Sequence, residues 1–333
     1  MKKLPSTSQI FIDLAPEFGA EVILDDSYGY AGLIKFPNGI KKYFKYNHLD
    51  VNTLGSSEIA RDKDYAALFL SKFGYHTIQG DTFYSKEWAE HIGSNKTIDK
   101  AYAYAEKIGY PVFVKPNNSG LGFGVALAYS KEELRIALKE ALIYDKIVIV
   151  QKAYLGMHDF RIVVFKGEIV CAYKKTPLHI AGDGKKTVQE LFDQKKQKLK
   201  ESGRGMSVEL EDYRIQFELK RNKLDNNSIL ETGQDICLLP NANMSQGADG
   251  IDVTEDMSQK WKEWAVQVAR DMNLVLCGID VLVKNDIKGE VGEHVILEVN
   301  HSPGFQHYAT LGDMAQKRVQ TLYRDIFTYL AHE

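Results

Sequence analysis

The stretch VILEVNHSPG, residues 295–304, combines the pattern of a buried β-strand with two polar side chains. Glu298 and Asn300 lie two residues apart in it, so their side chains share one face of the strand. A second apolar stretch, CGIDVLV (residues 277–283), carries Asp280. Burying carboxylates among such residues is costly unless a cation or a hydrogen-bond network compensates. Because carboxylate and amide oxygens suit Mg²⁺, these residues predict a magnesium site; the alternative is unrelated charges at strand ends.

A glycine-rich loop follows another apolar strand in PVFVKPNNSGLGFG, residues 111–124. Lys115 stands at the end of that strand, and Gly120 and Gly122 lie in the loop. Glycines let backbone amides approach an anion closely, and a lysine supplies a compact cation. The loop matches neither the P-loop pattern nor a dinucleotide fingerprint. The segment alone therefore predicts either a phosphate-binding loop or a flexible hairpin loop.

Length and composition indicate an ordinary globular chain. With 333 residues and 44% hydrophobic content, it can bury a large core in two or three structural units. A net charge of -3 offers no global basic field, so we expect neither nucleic acid nor a membrane as a partner. Cys171, Cys237 and Cys277 lie far apart without metal-ligand spacing, which indicates a reducing, cytoplasmic setting. The N-terminus lacks a continuous apolar segment, and no later segment is long and apolar enough to cross a bilayer. We therefore expect neither secretion nor membrane insertion.

Helix-like and strand-like patterns mix along the whole chain, which predicts an α/β or α+β fold. Gly74 and Gly109 are predicted to follow the ends of two helices as C′ residues. Ser130 and Glu133 have the spacing of a capping box. The segment FRIVVFKGEIVCAYKK (residues 160–175) is predicted to form two strands joined by a turn in its middle.

The order of these motifs resembles one family. VFVKP, the glycine-rich loop, GID and LEVNHSPG follow one another as in the ATP-grasp carboxylate-amine ligases. The segments SSEIARDKDYAALFLSKFGYHTIQG and NANMSQGADGIDVTEDM are similar to the ATP-grasp region of cyanophycin synthetases and of the fused glutathione synthetases. The resemblance extends from about Gly29 nearly to the C-terminus, and the combination of segments in this order is specific.

The resemblance implies an α+β (α/β) ATP-grasp fold in which two α+β subdomains clamp ATP. A small N-terminal region, residues 1–60, would precede them. The first subdomain would span residues 61–150 and carry the glycine-rich loop, residues 117–124. The second would span residues 151–333 and carry the metal and substrate site.

The resemblance also implies how the nucleotide and metal bind. Two lysines would contact the phosphates, and IVIVQKAYLG (residues 147–156) would form the strand and hinge beside the adenine. Gln151 stands where family members commonly have glutamate, and its side-chain oxygen can still accept a hydrogen bond from the adenine amino group. The implied ATP-binding residues are Lys63, Lys115, Gly120, Gly122, Gln151, Lys152, Tyr154 and, at the ribose, Asp159. The implied ligands of two Mg²⁺ ions, for which Mn²⁺ can substitute, are Asp280, Glu298 and Asn300.

Three further residues are candidates for a catalytic role. The planar fork of Arg161 suits a carboxylate or the transferring phosphoryl group; the alternative is a surface arginine beside Asp159. Lys174 and Lys175 alternate across a strand, so one of them faces the nucleotide. Lys174 is predicted to share the face of Arg161, provided that no bulge intervenes. Asn243 lies in the turn-rich stretch NANMSQG, which lines the substrate and phosphate region in the similar families, although a plain loop also explains it.

The reaction implied by the resemblance is ATP-dependent amide-bond formation. A substrate carboxylate attacks the γ-phosphoryl group of ATP, an amine captures the acylphosphate, and ADP and phosphate leave. Positioning and charge neutralisation suffice for such chemistry. Because the additional ligase modules of the similar proteins are absent from this sequence, we expect a stand-alone ligase of small amino-acid or peptide substrates, with a homodimer left open. The alternatives are a small-molecule kinase on the same fold and a non-catalytic nucleotide-binding module.

Overall fold

An N-terminal unit opens the fold in the computed structural model, which describes residues 4–332. It consists of helix α1 (Ser6–Leu14) and an antiparallel sheet of four strands, namely β1 (Glu21–Leu24), β2 (Ala31–Lys35), β3 (Lys41–Lys45) and β4 (His48–Leu49). The buried ring of Phe11 lies 4.8 Å from the ring of Phe44 and 5.3 Å from that of Phe327, near the C-terminus. The N-terminal unit therefore shares a hydrophobic core with the end of the chain.

A second antiparallel sheet, of four strands, follows a helical connection. The connection consists of α2 (Leu54–Arg61) and α3 (Lys63–Lys72). The sheet and its helices are, in chain order, β5 (Gly80–Tyr84), α4 (Lys86–Ile92), α5 (Ile98–Ile108), β6 (Val112–Pro116), β7 (Ala126–Ala128), α6 (Lys131–Tyr144) and β8 (Ile147–Lys152). The strand order in the sheet is β5-β8-β6-β7.

The two faces of this sheet differ because successive side chains of a strand point to opposite sides. Val114 and Val150 are paired across β6 and β8 and pack with Leu134 of α6 in one hydrophobic cluster. Lys115 and Gln151 belong to the opposite face, in which Lys115 is paired with the buried Ile149. This second face is the one that carries predicted site residues.

A larger antiparallel sheet, of five strands, supports the rest of the site. Its strands and the helices that cover it are β9 (His158–Phe165), β10 (Glu168–Thr176), β13 (Asp249–Asp252), α9 (Gln259–Asp271), β14 (Leu276–Val283), β15 (His294–Asn300) and α10 (Asp313–Leu330). The strand order in the sheet is β13-β10-β9-β14-β15. Trp261 of α9 packs with Ile162 and Ile279 on one face. On the other face, Val163 and Leu276 share the core of α10 and the N-terminal unit, beside a polar region.

A separate lobe is inserted between β10 and β13, and we refer to residues 178–239 as the inserted lobe. It contains β11 (Leu178–Ala181), α7 (Val188–Glu201), α8 (Tyr213–Arg221) and β12 (Asp235–Leu239). It has its own hydrophobic core, which includes Phe192, Ile215 and Leu238. This lobe reaches back towards the glycine-rich loop.

The local predictions are mostly confirmed. Gly74 follows the C-cap residue of α3 with φ of 89°, as a C′ glycine does. Gly109 also has a positive φ, of 82°, but it is the C-cap residue of α5, one position before the predicted C′ site. The side chain of Ser130 caps α6 by accepting a hydrogen bond from the Glu133 amide. The reciprocal bond of the predicted capping box is displaced, because Glu133 accepts from the amide of Tyr129. No helix within residues 4–332 is long and apolar enough to span a membrane.

Candidate functional site

The three predicted metal ligands lie together on one face of the large sheet. Asp280 of β14 is paired with Glu298 of β15, and Gly278 is paired with Asn300. The amide nitrogen of Asn300 lies 3.3 Å from Asp280 Oδ2 and 3.2 Å from Glu298 Oε1 and donates to both. The period-two pattern of the sequence therefore brings these side chains into contact across two strands.

Asp280 is almost fully buried and is held by two cations. Arg161 donates from Nε to Oδ1 over 2.7 Å and from Nη2 to Oδ2, and Lys175 Nζ lies 3.2 Å from Oδ1. Burial acts to raise the pKa of Asp280, but Arg161 and Lys175 outweigh it and hold that pKa well below its usual range. Asp280 is therefore an ionised carboxylate at neutral pH.

Asp159 lies at the far end of the same network. Its Oδ1 is 3.0 Å from Lys175 Nζ. Here burial outweighs the attraction of Lys175 and raises the pKa of Asp159 to about 7. The side chain predicted to bind the ribose thus already has one oxygen beside a lysine.

The orientation predicted for Lys174 is wrong, because a β-bulge shifts the register of β10. Pairing changes from Ile169 opposite Val164 to Cys171 opposite Val163, so one extra residue enters β10. A shift by one residue moves every following side chain to the other face of the sheet. Lys174 is consequently paired with Phe160, whose side chain packs under α9, and Lys175 takes the place predicted for Lys174 beside Asp280.

Two lysines from the first half of the chain approach the acidic residues. Lys115 lies near the end of β6, as predicted, one residue before the final Pro116. Burial lowers its pKa to about 8, while the charge of Glu298 acts in the opposite direction. Lys63 Nζ lies 3.9 Å from Glu298 Oε2 and donates to the carbonyls of Asn117 and Ser119 over 3.2 and 3.0 Å. Lys63 therefore joins the start of α3, the glycine-rich loop and the acidic residues.

The glycine-rich loop, residues 117–124, connects two paired strands and docks against the turn at residues 241–247. Gly122 has φ of +74°, and a Cβ there would lie 2.7 Å from the side-chain oxygen of Gln246. At Gly120 a Cβ would meet nothing within 4 Å. The positive φ thus favours glycine at 122, where a Cβ would also displace the buried Gln246 side chain, whereas position 120 has open space.

Two family profiles match the chain. The profile described as D-ala D-ala ligase C-terminus matches residues 69–203, and the profile described as RimK-like ATP-grasp domain matches residues 241–322. The crystal structure of a bifunctional glutathione synthetase from Pasteurella multocida superposes with a TM-score of 0.58 and 22% identity, covering 97% of this chain and 45% of that one. The chain belongs to the ATP-grasp family. The predicted α+β ATP-grasp fold is confirmed.

Curated relatives are similar over much of this chain but are much longer. The glutathione biosynthesis bifunctional protein GshAB of Clostridium perfringens is 30% identical over 202 residues, which are 58% of this chain and 25% of that protein. The cyanophycin synthetase of Geminocystis herdmanii is 31% identical over 260 residues, which are 75% of this chain and 28% of that protein. This ATP-grasp chain therefore spans about a quarter of the length of these relatives.

The residues predicted to bind adenine lie at the end of β8 and just after it. Gln151 is buried on the side of β8 that Lys115 occupies on the neighbouring strand β6. Lys152 is exposed, with its Nζ 5.8 Å from the ring centroid of Tyr154. Among the described residues, no hydrogen bond uses the backbone amide of Tyr154, whereas the Lys152 amide donates to the carbonyl of Gln79 over 2.9 Å. The assignment of these residues to ATP stays a prediction.

Asn243 has a structural role in this arrangement. Its side-chain oxygen accepts a hydrogen bond from the amide of Ser245 over 2.9 Å and so caps the short 3-10 helix at residues 244–246. The hydroxyl oxygen Oγ of Ser245 in turn lies 3.0 Å from Nε2 of His307. A catalytic role for Asn243 stays a prediction beside this capping role.

Gln246 and Arg214 contact site elements and were absent from the sequence-based candidates, whereas Lys175 was considered there as the alternative to Lys174. The alternation of side chains along β10 points to Lys175 only when the bulge is known. Gln246 lies inside the quoted NANMSQG stretch, so that motif already indicated its neighbourhood. Arg214 carried no signal, because it comes from a helix of the inserted lobe.

Proposed function

We propose that this ATP-grasp protein is an ATP-dependent ligase that joins the carboxylate of an amino acid or peptide to an amine. A substrate carboxylate oxygen bonds to the γ-phosphorus of ATP as the bond to ADP breaks, and the amine then displaces phosphate from the acylphosphate. The observation that supports this proposal most is one continuous charged face. Arg161, Asp280 and Glu298 on the large sheet lie near Lys63, at the start of α3, and near Lys115 of the other sheet.

The proposed mechanism depends on charge neutralisation and positioning. Lys63 and Lys115 bind the nucleotide phosphates from the side of the glycine-rich loop. Arg161 Nη2 lies 3.9 Å from Glu298 Oε1 beside its closer contact with Asp280, so its fork is fixed in orientation. Preorganised cations of this kind stabilise the charge that develops on a transferring phosphoryl group. No covalent intermediate with a protein nucleophile is required.

The residues at the acidic cluster fit a hard divalent cation. Within residues 4–332, no three His, Cys, Asp or Glu side chains form a metal-binding group, so the amide oxygen of Asn300 is needed as a third protein donor. Amide nitrogen and oxygen occupy nearly equivalent positions, and a flip of the Asn300 amide would direct its oxygen to the two carboxylates. We therefore propose that Asp280, Glu298 and Asn300 hold two Mg²⁺ ions, or Mn²⁺ in their place. Bound Mg²⁺ would neutralise phosphate charge and orient the phosphates of ATP.

The substrates, the oligomeric state and the cellular location expected from the sequence stay proposals. Small-molecule amino acids or peptides remain the proposed substrates, and a homodimer and a cytoplasmic location remain proposals. Cys171, Cys237 and Cys277 form no disulfide among the described residues. The division at residues 60 and 150 also stays a proposal.

Steady-state turnover with Mg²⁺, ATP and pooled amino acids and dipeptides tests the ligase proposal. We expect ADP, free phosphate and a product one water lighter than its two parts. A phosphorylated product without free phosphate would instead make the protein a kinase. Glu298→Gln should abolish turnover, whereas Glu293→Gln should not, because Glu293 is an exposed residue beside Lys284 at the outer end of the sheet. Equal activity of the two variants would contradict the metal assignment.

A further inference from the structure

Helix α8 of the inserted lobe lies against the glycine-rich loop. Arg214 is buried and donates from Nη1 to the carbonyls of Gly122 and Val125, over 3.2 and 3.0 Å. Asp212 accepts from Nε and Nη2 over 2.8 and 2.7 Å. The carboxylate therefore fixes the guanidinium plane, and the remaining nitrogen is directed at two carbonyls that bracket the end of the loop.

The turn at residues 241–247 completes a polar receptor for the same part of the loop. Gln246 is 1% exposed, and its Oε1 accepts from Asn241 Nδ2 over 2.8 Å. This oxygen also lies 3.5 Å from Arg214 Nη1. Within residues 4–332, the buried Nε2 of Gln246 has no hydrogen-bond partner. A Cβ on Gly122 would lie 2.7 Å from the Gln246 oxygen, so the loop backbone rests directly on this receptor.

We propose that Arg214 is a positioning residue that holds the glycine-rich loop closed over the nucleotide, a role that rests on the function proposed above. The loop belongs to the sheet that carries Lys115, whereas Arg214 belongs to the lobe inserted after β10. Its two hydrogen bonds thus join the two sides of the nucleotide cleft. Hydrogen bonds from a charged donor are stronger than neutral ones. Lys63 makes such bonds to the carbonyls of Asn117 and Ser119 at the start of the loop, and Arg214 makes them at its end.

A closed loop has a chemical consequence for the proposed reaction. An acylphosphate exposed to water is attacked by a water oxygen, the bond to the phosphate group breaks, and carboxylate and phosphate are released. ATP is then consumed, the substrate carboxylate is regenerated and no amide forms. Exclusion of water by a closed loop prevents this side reaction. Loss of Arg214 should therefore uncouple ATP consumption from amide formation.

Arg221 supplies a matched control on the same helix. Its Nη2 donates to both oxygens of Glu133 on α6, over 3.0 and 2.9 Å, and its guanidinium lies 3.8 Å from the ring centroid of Tyr129. It joins the same two parts of the chain as Arg214, but within residues 4–332 none of its hydrogen bonds or ion pairs is with the glycine-rich loop. Arg221→Lys therefore perturbs the lobe without touching the loop.

The test compares Arg214→Lys with Arg221→Lys after thermal unfolding has shown that both fold. Cleavage by chymotrypsin after Leu121 or Phe123 reports opening of the loop, and release of a fluorescent ATP analogue reports its hold on nucleotide. We expect Arg214→Lys to accelerate both by about 10-fold, because two charge-assisted hydrogen bonds to the loop are lost. Arg221→Lys should stay within about two-fold of the parent protein, as is typical of a partly exposed ion pair. Equal rates in Arg214→Lys and the parent would overturn the proposal.

Two further measurements separate this proposal from the proposed function. Cleavage without nucleotide depends only on the contact between loop and lobe, so it tests Arg214 even if the parent protein forms no amide. In an active protein, the ratio of ADP released to amide formed should rise in Arg214→Lys and stay unchanged in Arg221→Lys. If Arg214→Lys unfolds, Gln246→Ala removes the neighbouring wall of the receptor and should accelerate cleavage in the same way; parental cleavage in that variant would overturn the proposal.

Discussion

Replacement of Lys175 by methionine tests the register and the buried charge network together. Lys175 lies between Asp159 Oδ1 at 3.0 Å and Asp280 Oδ1 at 3.2 Å. Asp280 would keep its two hydrogen bonds from Arg161, whereas Asp159 would lose the lysine on which it depends. Breaking a buried ion pair costs about 3–5 kcal/mol, and we expect about 3 kcal/mol at pH 8 because Asp159 can take up a proton instead of remaining charged.

The pH dependence follows from the same carboxyl group. The pKa of Asp159 is about 7 in the folded protein and 3.8 in the unfolded reference, so the folded state binds the proton more tightly. This group therefore lowers the free energy of unfolding progressively as pH rises from about 4 to 7. Without Lys175 the folded pKa rises further, and the loss continues above pH 7. The cost of Lys175→Met should thus be smaller at pH 5 than at pH 8.

Urea denaturation of ligand-free protein at pH 5 and pH 8 measures both effects. Lys174→Met is the matched control, since Lys174 points to the other face of the sheet and should change the free energy of unfolding by less than about 0.5 kcal/mol. The double variant Asp159→Asn, Lys175→Met should recover most of the loss, because no unpaired charge remains. Equal destabilisation by Lys174→Met and Lys175→Met, or a cost independent of pH, would refute this reasoning.

Three more predictions concern the nucleotide and metal. Gly122→Ala places a Cβ 2.7 Å from Gln246 at a positive φ and should raise the KM for ATP by about 10-fold in steady-state assays, whereas Gly120→Ala should stay near the parent value. Burial lowers the pKa of Lys115 to about 8, so its charge is present below that pH and lost above it; kcat/KM for ATP should fall as pH rises through 8, and a flat profile up to pH 10 would contradict this role. Asn300→Leu removes the third oxygen donor and should raise the Mg²⁺ concentration needed for half-maximal activity; an unchanged Mg²⁺ titration would exclude Asn300 as a ligand.

The strand pattern predicts the acidic cluster because its geometry is local. Glu298 and Asn300 share a face whenever their segment is a strand, and the cost of burying Asp280 indicates a compensating cation. The structure supplies that compensation through Arg161 of β9 and Lys175 of β10. The helix ends at Gly74 and Gly109 were predictable for the same reason, since a positive φ at a helix end favours glycine.

Features that depend on distant parts of the chain were not predictable in this way. The bulge between Ile169 and Cys171 leaves no mark in the local pattern, yet it decides which lysine faces Asp280. The contact of Arg214 with Gly122 joins residues 92 positions apart and depends on how the inserted lobe packs. The resemblance to ATP-grasp proteins gave the order of the site elements but not these side-chain partners.

Transfer of a labelled oxygen atom tests the central claim most directly. Pooled amino acids and dipeptides with heavy oxygen in their carboxylates would be incubated with Mg²⁺, ATP and protein, and the released phosphate would be weighed by mass spectrometry. An acylphosphate requires that a carboxylate oxygen leaves with the phosphate, so the account predicts phosphate carrying one heavy oxygen, together with an amide product. Amide formation with unlabelled phosphate, or a phosphorylated product without free phosphate, would contradict it.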